Sequence, residues 1–88
     1  MTKKELIESF KDAEKYDAKY IGVLIELPGG AKELIINGKS NFNDKLLYYV
    51  EKYDHECKMR ACPDIKIIDT CFSDKFDTLQ FRLGKELI

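Results

Sequence analysis

Between two runs of aliphatic and β-branched residues stands Pro28-Gly29-Gly30, a fixed φ followed by two positions free to take positive φ. The chain must reverse there, which makes Tyr20 to Leu27 and a stretch around Lys32 to Asn37 the arms of a β-hairpin. In the first arm Ile21, Val23, Ile25 and Leu27 alternate with Tyr20, Gly22, Leu24 and Glu26, so both faces of this strand are expected to be at least partly covered.

Helical periodicity flanks the hairpin. Thr2-Lys3-Lys4-Glu5 has the spacing of a capping box, and Leu6, Ile7, Phe10 and Ala13 follow at steps of three and four, predicting an amphipathic helix to about Tyr16. After the turn residues Asn37 to Asn41, Ser40 or Asn41 is placed to cap a second helix that begins near Phe42. Phe42, Leu46, Tyr49, Val50, Tyr53 and Cys57 recur on one arc of that helix. Pro63 disfavours helix at Cys62, which predicts an end between Asp54 and there, fraying through Lys58 to Ala61.

Ile65 to Phe72 reads as a third strand, Ser73 to Lys75 as a turn, and Phe76 to Leu83 as a fourth strand in which Leu79, Phe81 and Leu83 alternate with polar neighbours. Gly84 and a short tail ending on Leu87 and Ile88 close the sequence. The order is then α-β-β-α-β-β, an α+β fold with two helices packed on one face of an antiparallel sheet of three to four strands. With 88 residues the chain holds one hydrophobic core, so residues 1–88 are expected to be a single domain whose function lies on its surface.

Charge narrows the function classes. Fifteen basic and sixteen acidic residues leave a formal net charge of -1, which removes the pull a sequence-independent nucleic-acid binder needs and equally the acidic excess of a DNA mimic. No stretch approaches the length of a membrane span and no signal-peptide core is present, which places the chain in the cytoplasm with Cys57, Cys62 and Cys71 as reduced thiols.

The residues that could carry chemistry do not converge. His55, Cys57, Cys62 and Cys71 form the only cluster containing candidate soft metal ligands, but their spacing lacks the paired C-x2-C pattern of a closed zinc site. On a helix, Cys57 would point inward and His55 outward, which also denies the thiol a neighbouring base. Asp69, Asp74 and Asp77, or Asp54 with Glu56, are solvated carboxylates with nothing to split two pKa values. Phosphate-loop, dinucleotide and nucleophile-elbow motifs are missing, and Gly29-Gly30 is explained by the hairpin. The chain is therefore expected to be no enzyme and to need neither cofactor nor metal.

One aromatic residue stands out. Tyr49 and Tyr53 belong to the inner arc of the second helix, whereas Tyr48 falls on the other side beside Glu51, Lys52 and His55. A tyrosine among mixed charges is suited to a contact, because its ring buries a large area at low entropic cost while the hydroxyl stays satisfied. Tyr48, Glu51, Lys52 and His55 are the expected partner-binding residues. The alternative is a nucleic-acid or nucleotide binder stacking bases on Tyr20 and Phe72 from an uncovered sheet face, although Glu26, Glu33 and Asp69 dilute any basic stripe there.

The run Tyr20-Ile21-Gly22-Val23-Leu24-Ile25-Glu26-Leu27-Pro28-Gly29, followed by Asn41-Phe42-Asn43-Asp44-Lys45-Leu46-Leu47-Tyr48-Tyr49, resembles small proteins encoded by phages and prophages of Firmicutes. The resemblance spans most of the chain and brings no catalytic motif. It implies a setting in which compact accessory proteins, anti-CRISPR and other anti-defence inhibitors among them, bind a large host complex and block a surface. A host protein complex such as a defence nuclease is then the expected partner, and a homodimer a further expectation, since so small a core gains from added burial.

Overall fold

Tyr20–Glu26, here β1, is the middle strand of an antiparallel sheet in the order β2-β1-β3, with β2 at Lys32–Gly38 and β3 at Lys66–Ser73. The computed structural model describes residues 1–84, in which the strands are joined by α1 (Lys3–Lys15), α2 (Phe42–Lys52) and α3 (Phe76–Gly84). The predicted hairpin forms in unbroken register from Tyr20 opposite Gly38 to Glu26 opposite Lys32. Gly29 and Gly30 take φ of 86° and 90°, values costly for any residue with a Cβ, and the Gly30 N–H closes the turn on the Leu27 carbonyl at 3.1 Å.

α1 starts where its capping box demands. The Glu5 N–H donates to Thr2 Oγ1 at 3.2 Å and the Thr2 N–H donates to Glu5 Oε1 at 3.0 Å, which also holds the Glu5 carboxyl below its usual range. Leu6, Phe10 and Ala13 bury the stripe read from sequence. Together with Phe42, Tyr49 and Tyr53 they cover Ile21, Val23 and Ile25 of β1, so α1 and α2 share one face of the sheet. Thr70 of β3 donates to Ser9 of α1 at 2.7 Å beneath the same layer.

A bulge adjusts the sheet to that layer. Leu24 faces Asp69 but Ile25 faces Ile67, leaving Ile68 as the extra residue. Without it Ile68 would stand opposite Ile25; with it the fully buried Ile67 joins the core.

Two elements differ from the sequence reading. The segment from Phe76 is the helix α3, not a fourth strand, so the order is α-β-β-α-β-α. Leu79 and Leu83 fit a helical step of four as well as a strand alternation, and only the helix leaves Phe81, the third member of the supposed inward row, 79% exposed. α3 covers the second face of the sheet: a Cβ on Gly22 would lie 2.9 Å from Leu83 Cδ1, and Phe76 meets the Tyr20 ring edge-on at 5.8 Å. This burial explains why β1 is buried continuously from Ile21 to Ile25.

The second difference is the end of α2. It stops at Lys52, with Tyr53 extended as its cap, and residues 53–65 form a tight irregular segment bridged to itself at Tyr53 and Met59 and to β3 at Lys58 and Lys66. Asp54 is the reason. Its carboxylate accepts the N–H groups of Glu56 and Lys58 at 2.9 and 3.0 Å, offering the backbone a turn in place of the next helical bonds. Those two bonds, Lys58 first, keep the Asp54 carboxyl below its usual range. Asn41 occupies the N-cap position of α2 but its side chain makes no capping bond. Leu87 and Ile88, read from sequence as the closing tail, lie outside the described residues. No helix among the described residues is long and apolar enough to cross a membrane.

Candidate functional site

The outer side of α2 and the irregular segment after it make one continuous surface. The Arg60 N–H donates to the Lys52 carbonyl at 2.9 Å, satisfying an open carbonyl at the helix end and laying residues 59–61 beside the last turn. Between them runs a groove of about 370 Å³ lined by Tyr48, Glu51, Lys52, Met59, Arg60 and Ala61. A second groove of about 230 Å³, which includes Ile25, Glu33, Ile35 and Lys45, lies towards the hairpin and shares Tyr48 and Met59 with the first. Tyr48 is thus the ridge between two depressions.

Its ring is held from both sides. Tyr49 meets it edge-on at 5.5 Å, and the Lys45 ammonium lies 5.6 Å from its centroid, a cation–π distance. Tyr49 in turn meets Tyr53 at 5.7 Å and Phe10 at 6.2 Å, so the ridge stands on a buried row of rings. Burial pushes the Tyr53 hydroxyl up to about 12 and the Tyr49 hydroxyl higher still, which keeps both rings neutral at any physiological pH. Tyr48 itself is 42% exposed, and Leu47 beside it 67%.

Of the four residues expected from sequence, Tyr48, Glu51 and Lys52 are brought together. His55 is exposed but lines neither groove. It belongs to the turn beyond the helix, where its carbonyl accepts the Lys3 N–H at 2.9 Å, while the Lys3 ammonium bonds the Val50 carbonyl at 2.9 Å. The start of α1 and the end of α2 are stapled at that point through the His55 backbone, whose carbonyl any residue would supply. Met59, Arg60 and Ala61 were not legible as neighbours of Tyr48, because a helix continued through Lys58 to Ala61 would carry them away along its axis. The signal that could have found them is Asp54, whose side chain starts turns.

The cysteines and histidine do not assemble. Helical divergence, the reason offered by the sequence, is not what separates His55 from Cys57, since neither is helical. Cys57 sits in the turn at φ 61°, fully buried, with its carbonyl accepting the Ile67 N–H at 2.9 Å, and burial raises its thiol above the usual range. Among the described residues no group of three or more His, Cys, Asp or Glu side chains is placed to hold a metal ion.

The aromatic pair proposed for stacking bases is split by the sheet. Phe72 stands opposite Ile21 and packs under α1, where Tyr16 stacks on it at 6.1 Å, whereas Tyr20 points to the other face beneath Phe76. Two rings on opposite faces, each already occupied, do not form a platform for successive bases. The face taken as uncovered is the one α3 closes.

No protein-family model, curated protein or solved structure matches the chain.

Proposed function

We propose that this protein is a non-enzymatic interaction module of the cytoplasm that binds a host protein complex through the surface formed by α2 and residues 59–61. The observation that carries the reading is Tyr48, a half-exposed ring fixed between two grooves by Lys45 and Tyr49. A contact anchor of this kind gains affinity because little conformational freedom remains to be lost on binding. Glu51, Lys52 and Arg60 supply charges of both signs around it, suiting a mixed protein surface better than a polyanion. In the setting implied by the sequence resemblance, the partner is a host defence complex such as a nuclease, and binding blocks it.

The test compares variants in one capture experiment from host lysate, read by quantitative mass spectrometry. Tyr48→Ala is expected to lower recovery of the specific partner at least tenfold, an effect on the scale of an interface hot spot, while the melting temperature stays within a degree or two. His55→Ala, outside the groove, is expected to leave recovery unchanged. Undiminished recovery with Tyr48→Ala removes this surface as the contact.

A further inference from the structure

The two outer strands of the sheet present their edges differently. β3 is interrupted by the bulge at Ile68 and its first residue is bridged by Lys58, both of which hinder addition of another strand. β2 has neither device. It runs seven residues in unbroken register with β1, contains no proline, and among the described residues no strand pairs with its outer side. Leu34, Ile35 and Ile36 at its centre are each only partly buried. Alternate residues of such an edge direct backbone N–H and C=O groups outward, a template for one more strand.

We propose that the β2 edge is a self-association surface on which a second copy of the chain adds its own β2, antiparallel and centred on Ile35, to make a continuous six-stranded sheet. The sequence of β2 is complementary to itself in that register. Ile35 meets Ile35, Leu34 meets Ile36 on the α3 face, and the only charged residues of the strand, Lys32 and Glu33, fall opposite Gly38 and Asn37, so no like charges are opposed. A two-fold axis normal to the sheet preserves its faces, extending the α1/α2 core row at Ile35 and the α3 row at Leu34 across the junction. Half-buried aliphatic residues become buried, a gain that weighs heavily for a chain of 88 residues. The β2 edge adjoins the Tyr48 ridge, since Glu33 and Ile35 also line the groove on its hairpin side, but the two readings are told apart by their readouts, partner capture with Tyr48→Ala and oligomeric state with Asn37→Glu.

Sedimentation equilibrium over a wide concentration range is expected to show a monomer–dimer equilibrium. Asn37→Glu sets a carboxylate against Glu33 of the second copy at two symmetric places and is expected to raise the dissociation constant about tenfold. Adding Glu33→Lys converts both clashes to opposite-charge pairs and is expected to restore dimerisation. Within one chain positions 33 and 37 are roughly 13 Å apart along the strand, so such a rescue reports on the second copy. A readout that needs no variant is amide exchange: outward amides of β2 slow as concentration rises, while those of β3 do not. A monomer at every concentration, a dimer indifferent to Asn37→Glu, or β2 exchange independent of concentration overturns the proposal.

Discussion

Under α1 and α2 the sheet is covered by rings, with Phe10 edge-on to Phe42 at 6.2 Å and continuing into Tyr49 and Tyr53, whereas under α3 it is covered by leucines set around a glycine, with the single ring pair of Phe76 and Tyr20 beside them. The first face is served by helices of 13 and 11 residues, the second by α3, of which nine residues are described. Aromatic side chains bury large areas and tolerate some separation between layers. With leucines, Leu79 and Leu83, as the buried residues among those described, α3 has smaller side chains to set against the sheet and must come close, and Gly22 is the residue that lets it. Tyr48 stands on the ring-filled side, where the helix that carries it is held firmly enough to fix its orientation.

If the rings supply most of the stability, Phe10→Ala should cost about 3–5 kcal/mol, the range for deleting a buried aromatic side chain. Urea unfolding measures this directly, and a loss below about 1 kcal/mol would mean that the two faces contribute alike. Gly22→Val tests the other face. Its Cβ meets the Leu83 methyl and its branches have to displace more of α3, so a loss of about 1–3 kcal/mol is expected. Amide exchange should quicken selectively over Phe76–Gly84; uniform quickening across the sheet would show that close approach of α3 is not the point under strain.

The smallest effect at neutral pH, and a distinguishing one at high pH, comes from the buried tyrosines. Tyr53 ionises near 10 when exposed to water and at about 12 when folded, so the folded state holds its proton more tightly than the unfolded one. The stabilisation is complete below pH 10 and is lost as the pH rises towards 12. Thermal melts should therefore fall across that window, and Tyr53→Phe should reduce the slope. An unchanged slope in the variant would place the alkaline sensitivity elsewhere.

What could be read without coordinates was what neighbouring residues settle among themselves. The capping box of α1, the Pro28-Gly29-Gly30 reversal and the buried arc from Phe42 to Tyr49 are local, and each forms where its spacing predicts. So are the alternation in β1 and the outward aim of Tyr48. The end of α2 lay within reach too, since Asp54 carries a turn signal, but the apolar arc continued through Tyr53 and Cys57 and pointed to a longer helix. Both residues are indeed buried, reached from a turn rather than from a helix face.

Tyr48, Glu51 and Lys52 share an exposed helix face by sequence alone, because helical spacing puts them there. That Met59, Arg60 and Ala61 complete a groove beside them, and that His55 does not join it, was decided by tertiary structure: the hydrogen bond from Arg60 to Lys52 and the staple from Lys3 to His55 link groups that local spacing does not bring together. The state of Phe76–Gly84 was decided in the same way. Leu79 and Leu83 suit a strand or a helix equally, and the open face of the sheet beside Gly22 selected the helix, because a helix there buries both leucines, Leu83 beside Gly22.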